Sequence, residues 1–251
     1  MSVPRMLKQN LLDGGRCGIL FSGGHDSEVL LRSAVSVLGA SNVLPFTADT
    51  ELLAAFYRKH IRSVDEELFI ETVFVPVDLM SCREFTQNTD MRCYTCKKEL
   101  YTRLKAEAVA RGCDTVIDGT NTDDLSEHRP GLAAAAEMGI VHPFLEACMG
   151  KDDIAELGAL LGAGECPSDS CLATRIPRGT MITSGLLSLI ESMEAPLRPS
   201  VKGRFRVTAG IGRLHIYYSA IDEKQVKNSL GQMRLIAERS GQQIELHLLE
   251  S

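Results

Sequence analysis

Apolar residues recur along the first two thirds of the chain in two alternating patterns. Short runs rich in Val, Ile and Phe at 18–21, 43–47, 69–75 and 115–117 have the length and β-branched content of buried strands. Amphipathic stretches at 28–38, 52–68 and 97–111 separate them. Strand and helix in alternation predict a parallel sheet covered on both faces, an α/β fold of Rossmann-like type. Ligands of such sheets bind outside the carboxyl ends of the strands, so chemistry is expected in the segments that follow each run. After about residue 176 the pattern changes. Pro177, Pro196 and Pro199 punctuate short elements, alternation follows at 204–207 and 214–218, and a helix at 222–239 precedes a last strand at 244–249. The chain is therefore read as two domains, 1–176 and 177–251, the second a small α+β domain.

The segment after the first strand is the most informative. Ser22-Gly23-Gly24-His25-Asp26-Ser27 stands between the apolar run ending at Phe21 and the apolar residues Val29-Leu30-Leu31. Strand, glycine loop and helix in that order make an anion cradle: the glycines turn the backbone tightly, and Ser22, Ser27 and the helix N-terminus add donors and positive dipole. No Gly-Lys-Ser/Thr follows, and the spacing is not Gly-x-Gly-x-x-Gly, so neither the ATPase loop nor the dinucleotide fingerprint applies. The segment resembles the SGGxDS loop of enzymes that split ATP into AMP and pyrophosphate. Thr47 and Asp49 end the second strand, and Asp118-Gly119-Thr120-Asn121-Thr122-Asp123-Asp124 follows the fourth, at the same edge of the sheet.

Composition narrows the setting. In 251 residues, 44% hydrophobic, no stretch approaches the roughly 20 apolar residues of a membrane span, and residues 1–15 hold no apolar leader core, so a cytoplasmic protein with no membrane partner is expected. Eight cysteines then point to reduced thiols or ligands rather than to a disulfide framework. A formal net charge of −6 argues against bulk nucleic-acid binding. One basic stretch stands out, because Arg175, Arg178, Arg198, Lys202, Arg204, Arg206 and Arg213 share a segment whose only acids are Glu191 and Glu194. It is either a solvated face or a phosphate grip.

Three further stretches add specificity. They are Arg92-Cys93-Tyr94-Thr95-Cys96-Lys97-Lys98, then Asp118-Gly119-Thr120-Asn121 with Asp123-Asp124 and Arg129-Pro130-Gly131, and Pro167-Ser168 with Cys171-Leu172-Ala173-Thr174-Arg175-Ile176-Pro177. With the loop, they make residues 15 to 183 similar to the LarE or ExsB-like ATP-dependent sulfur transferases of the pyrophosphate-loop (PP-loop, adenine nucleotide alpha hydrolase) superfamily, including the thioamide-forming YcfA branch of 6-thioguanine biosynthesis.

The resemblance implies that ATP binds with Mg2+, its phosphates on Ser22, Gly23, Gly24, Asp26 and Ser27, its adenosine near Thr47 and Asp49, with Gly119, Thr120 and Asp123 completing the nucleotide site. The enzyme would adenylate an oxygen of a small heterocyclic acceptor, and a cysteine sulfur would then attack the activated carbon. In one version the thiol at Cys171 gives up its own sulfur; in another Cys93, Cys96 and Cys171 hold a 4Fe–4S cluster. A cysteine desulfurase or persulfide donor and a homo-oligomer are the partners implied, with the smaller domain serving acceptor binding or oligomerisation.

The residue chemistry agrees with these roles. Adenylation builds charge on the α-phosphate and wants loop amides, a lysine such as Lys97 and a metal placed by Asp26 or Asp123. A sulfur nucleophile wants a thiolate, and Arg175 stands four residues beyond Cys171, where it either depresses that pKa or binds phosphate. Cys93 and Cys96 alone are also half a zinc site, and Cys166 is placed to resolve a persulfide. Cys113 stands where the family has an aromatic residue, which makes it a candidate thiol of the specialised reaction, although it precedes a strand and so falls at the wrong end of the sheet.

The tail departs from the family. A stretch like Arg-Val-Arg-His-His-Gly-Asp, which grips an acceptor phosphate, is replaced by Arg206-Val207-Thr208-Ala209-Gly210. The acceptor expected is therefore a free purine base, guanine going to 6-thioguanine, ahead of the pyridinium dicarboxylate mononucleotide of nickel-pincer cofactor synthesis. A PP-loop amide-forming enzyme and a non-catalytic nucleotide sensor are the rivals; the first leaves the three cysteines without a role.

Overall fold

The computed structural model describes residues 3–125, 130–164 and 171–249. Its elements run α1 (Arg5–Asp13), β1 (Cys17–Leu20), α2 (His25–Leu38), β2 (Val43–Asp49), α3 (Ala55–Leu68), β3 (Val73–Pro76), α4 (Arg83–Thr86), α5 (Arg92–Ala110), β4 (Thr115–Ile117), α6 (Pro130–Glu137), α7 (Pro143–Glu146), α8 (Lys151–Leu161), α9 (Ser184–Glu194), β5 (Phe205–Ala209), β6 (Arg213–Ser219), α10 (Glu223–Arg239) and β7 (Gln243–Leu249). They fall into two compact units, Met1–Leu79 with Met91–Asp169, and Met80–Asp90 with Ser170–Ser251. No helix among the described residues is long and apolar enough to cross a membrane.

The first unit is the α/β fold read from the pattern, with strand order β3-β2-β1-β4 and every neighbouring pair parallel. All four residues of β1 are buried, as a central parallel strand requires. Alternate side chains serve two cores. Cys17, Ile19 and Phe21 pack with residues of α1, α2, α3, α7 and α8, while Leu20 packs with Phe46, with Tyr101, Leu104 and Ala108 of α5, and with Ala134 and Ala135 of α6. Each large apolar side chain buried this way contributes roughly 1.5–3 kcal/mol, so packing on both faces, more than the short ladders, holds the sheet. Gly18 lets α5 approach: a Cβ there would stand 3.1 Å from the Ala108 Cβ and 3.3 Å from the Phe46 ring. Polar ties fix α2 on α3, since Glu28, fully buried, meets Arg32 at 2.8 Å and His60 at 2.7 Å, and Arg32 reaches Glu67 at 2.7 Å.

Two boundaries depart furthest from the periodicity. The strand expected at 69–75 begins only at Val73, because Phe69 ends α3 in the left-handed conformation (φ 54°) and the buried Asp65 carboxylate then takes both the N–H and the hydroxyl of Thr72. Helix α5 starts at Arg92 rather than 97, which brings Cys93 and Cys96 into its first turn.

In the second unit β5, β6 and β7 lie in that order, β5–β6 antiparallel and β6–β7 parallel with α10 as the crossover. The unit also takes in Met80–Asp90. Asn88 anchors that segment: its buried side-chain amide donates to the carbonyls of Ile176, Pro177 and Thr180 at 3.3, 2.8 and 2.9 Å. At the centre is the fully buried Glu194, which accepts from Arg175 Nε at 3.0 Å, Arg198 Nη2 at 2.5 Å and the Val207 N–H at 3.1 Å. Truncating Glu194 to alanine leaves two buried guanidinium groups without their shared carboxylate and is expected to cost about 3–5 kcal/mol, read as a lowered urea midpoint.

Candidate functional site

Chemistry in the first unit gathers where α2 begins. Past β1, the Phe21 N–H donates to the Phe46 carbonyl at 2.8 Å, and the Thr47 hydroxyl donates to the Phe21 carbonyl at 2.5 Å. Thr47 is thus a buried tie between strand ends. The loop then turns through Gly23, whose φ of +79° favours glycine and whose missing Cβ would stand 3.2 Å from Ile61. Two serines brace the turn from inside. The Ser27 hydroxyl donates to the Gly24 carbonyl at 2.8 Å, the Ser22 N–H donates to Ser27 Oγ at 3.3 Å, and the two hydroxyl oxygens are 3.1 Å apart. Gly24 is the N-cap of α2 and brings no capping side chain, so the positive end of a 14-residue helix opens beside the exposed Ser22.

The loop after β4 closes onto that helix end. A Cβ on Gly119 would lie 3.1 Å from the Ser27 nitrogen, and Asn121 Nδ2 donates to Asp26 Oδ2 at 3.0 Å. Asn121 also orders its own turn, accepting the Asp123 N–H at 3.1 Å while its N–H donates to Asp124 at 3.2 Å. Asp123 Oδ2 in turn takes the Lys151 N–H at 2.6 Å, at the start of α8. Burial raises the Asp26 carboxyl above the usual aspartate value and Asp124 pushes the same way, against His25, Lys151 and Asn121. Ser22, Gly23, Gly24, Asp26, Ser27, Gly119, Thr120 and Asp123 are therefore gathered within one loop cluster. Asp49 stands at the end of β2 in an ion pair with Arg58 at 2.5 Å.

A second polar group lies beneath this cluster. Asp118, buried, accepts from Tyr101 Oη at 2.8 Å and from the Thr120 N–H at 3.0 Å, and meets His142 Nδ1 at 2.7 Å. Lys97 stands over the Tyr101 ring, its Nζ 5.6 Å from the centroid, and the first turn of α6 is fitted around it, since a Cβ on Gly131 would overlap the Lys97 side chain. Cys93 and Cys96, three residues apart in that same first turn of α5, are half-buried, and Arg92 Nη2 approaches Cys93 Sγ at 3.8 Å. Cys113 is elsewhere. It is buried in the α5 side of the core near Gly18, at the amino edge of the sheet, and burial raises its thiol pKa. Cys17 nearby is pushed up to about 11 by burial, then by Cys113 and Asp114.

In the second unit Cys171 is exposed at the start of the short turn Leu172–Arg175, and its carbonyl accepts from the Thr174 hydroxyl at 2.8 Å and from Arg175 Nη1 at 3.0 Å. Arg175 itself is fully buried against Glu194. The basic stretch seen in the sequence is thus largely committed to carboxylates: Arg175 and Arg198 to Glu194, Arg178 to Asp90 at 3.9 Å, Arg213 to Glu245 at 2.9 Å. Arg129, Cys166, Pro167 and Ser168 lie outside the described residues.

No family model matches the chain. It is 32% identical over 231 residues to an uncharacterised protein of Synechocystis sp., covering 90% of this chain and 86% of that one. To an uncharacterised protein of Methanocaldococcus jannaschii it is 34% identical over 192 residues, covering 75% and 72%. A pyridinium-3,5-bisthiocarboxylic acid mononucleotide synthase of Lactiplantibacillus plantarum is 33% identical to it over 201 residues, 78% of this chain and 73% of that protein. The chain belongs to the LarE-like sulfurtransferase family.

Sequence reasoning missed three parts of this LarE-like site. Asp118 was read only as part of a motif, and its partners Tyr101 and His142 were not singled out; the signal was a carboxylate directly after a strand. Gly150, where a Cβ would stand 2.8 Å from Asp123 Oδ2, carried no local sign at all. Asp118 gives a pH prediction. Burial would raise its carboxyl, but the hydrogen bond and charge of His142, with Lys97 and a side-chain hydrogen bond from Thr120, outweigh this and bring it down to about 2. An unfolded aspartate titrates near 3.9, so the stabilisation is complete above that value and is lost as pH falls toward 2. Acid titration of stability should show a loss on the order of 2 kcal/mol across this window that is missing in Asp118→Asn.

Proposed function

We propose that this LarE-like protein uses ATP to adenylate an oxygen of a small heterocyclic acceptor and then replaces that oxygen with sulfur. The acceptor oxygen attacks the α-phosphorus and pyrophosphate leaves; a sulfur nucleophile then attacks the activated carbon, and AMP departs with the oxygen. The observation that carries the reading is the cluster at the start of α2, where the serine-braced glycine loop, the helix N-terminus and the Asp26–Asn121 pair meet against Gly119. Loop N–H groups and the helix dipole suit a polyphosphate, and Lys97 adds a positive charge on the same unit.

Asp26 and Asp123, both tied to Asn121, are hard oxygen donors whose chemistry fits Mg2+, which would neutralise phosphate charge. Cys93, Cys96 and Cys171 are three soft sulfur donors, of the kind that would hold a 4Fe–4S cluster with one iron open, and such a cluster would carry the transferred sulfide. A cysteine desulfurase or another persulfide source would supply the sulfur, and a thiol reductant would provide the two electrons that bring it to the sulfide level.

The name of the Lactiplantibacillus relative favours a heterocyclic mononucleotide as acceptor. A second reading, a free base such as guanine, is favoured by β5, where Thr208 and Ala209 stand in place of a second arginine and a histidine and Ala209 is buried. Losing one arginine fork from a phosphate grip removes a charge-assisted pair of about 2 kcal/mol. The test is incubation with ATP, Mg2+ and each acceptor in turn, following pyrophosphate and AMP. Acceptor-dependent release of both is the expected result, and the acceptor that stimulates it decides between mononucleotide and base. ATP binding without any release would make the protein a nucleotide sensor.

A further inference from the structure

The three-stranded sheet of the second unit has one face that the sulfur-transfer reading does not use. Along β6, Leu214, Ile216 and Tyr218 are buried, so His215 and Tyr217 stand on the opposite face. The parallel register sets His215 beside Glu245 and Tyr217 beside His247 on β7. Three ligand-type side chains converge there. His215 Nδ1 is 2.9 Å from His247 Nε2 and 3.6 Å from Glu245 Oε2, and His247 Nε2 is 3.8 Å from Glu245 Oε1. A tetrahedral zinc ion with ligands at about 2.0–2.1 Å holds them about 3.3–3.4 Å apart, and one nitrogen of each histidine and one Glu245 oxygen all lie within 4.8 Å of one another.

We propose that His215, Glu245 and His247 form a binding site for a borderline divalent metal ion of the zinc class, which staples β7 to β6 and leaves one coordination position open. Two imidazoles with one carboxylate suit zinc or cobalt better than magnesium or calcium. Their surroundings set the orientation of each ligand. The Tyr217 ring stacks on His247 at 4.6 Å with an 18° interplanar angle. Gly210 admits the His215 ring, since a Cβ there would stand 2.6 Å from Nε2, and this edge contact leaves Nδ1 turned toward the other two ligands. Arg213 donates to Glu245 Oε2 at 2.9 Å, an outer-shell bond of the kind that fixes a ligating carboxylate and here holds its pKa below the usual glutamate value.

Cobalt(II) and zinc titrated into the full chain test the proposal. The expected result is one cobalt site whose visible bands are those of a four-coordinate ion and which lacks thiolate-to-cobalt charge transfer, retained in a Cys93→Ser, Cys96→Ser, Cys171→Ser variant. Glu245→Gln and His247→Asn should each weaken it by more than the roughly 10–100-fold that loss of an outer-shell partner costs. At a zinc concentration about a hundredfold above Kd, Tm should rise by about 5–10 °C. Nitrogen-15 shifts of the unmodified protein, which need no variant to fold, should report zinc on Nδ1 of His215 and Nε2 of His247. Unshifted imidazole nitrogens at saturating zinc, or a cobalt site that survives His247→Asn at full affinity, would overturn it.

Discussion

Replacing Asp26 with alanine is expected to lower acceptor-dependent pyrophosphate release by about 10²–10³-fold, the scale set by removing one fixed group that meets transition-state charge, while thermal stability holds or rises. The two halves of that outcome have one cause. Burial and the neighbouring Asp124 both disfavour the ionised Asp26 carboxyl, so in the absence of a bound cation this side chain works against the fold. A residue kept where it strains its own electrostatics is a candidate for binding what relieves the strain, and a divalent ion with phosphate oxygens would do so. A purely structural Asp26 would behave the other way, because losing its bond to Asn121 would lower stability and leave turnover in the surviving folded fraction unchanged. Measuring pyrophosphate release and Tm on the same variant separates these cases. Unchanged pyrophosphate release would remove the loop from the mechanism.

What could be read from the chain was local. The sheet was legible because its four strands carry short apolar runs around the fully buried β1, and the SGGHDS loop was legible because the strand, both glycines and the helix are contiguous. The closure of Gly119 onto Ser27 spans 92 residues of sequence, and no periodicity links the two. The same holds for Asn88, whose side chain ties Met80–Asp90 to carbonyls near residue 177. The short helix α1 carries little periodic signal, since Leu7 and Leu11 alone form the one-sided pair that docks it in the core. Arg175 was read as chemistry because it is charged and close to Cys171 in sequence; the structure holds its side chain in the core, on Glu194 and on the Cys171 carbonyl. Charge in a sequence marks a group that must be satisfied, and burial decides whether a ligand or another side chain satisfies it.

Cys171→Ser is expected to abolish formation of the thio product while leaving adenylation, read as acceptor-dependent pyrophosphate release, within a fewfold of the parent. Its position favours a chemical role over a structural one. The residue is exposed, yet its backbone is fixed, because its carbonyl is held by both Thr174 and the buried Arg175. A thiol on an anchored backbone but outside the core is accessible to a reactant, and serine in its place changes one atom without opening a cavity. Buried Cys17 and Cys113 contrast with it: burial raises both thiols, so they stay protonated and poorly nucleophilic. The companion variants Cys93→Ser and Cys96→Ser identify how the sulfur is carried. If three thiolates hold a cluster, each of the three variants loses iron and thio product together, as ligands of one site act as a unit. If Cys171 surrenders its own sulfur, only its variant loses the product, and intact-mass analysis after one turnover shows the loss of H2S at that residue. Full thio-product formation by Cys171→Ser would reject both routes and move the search for the sulfur carrier to the remaining cysteines.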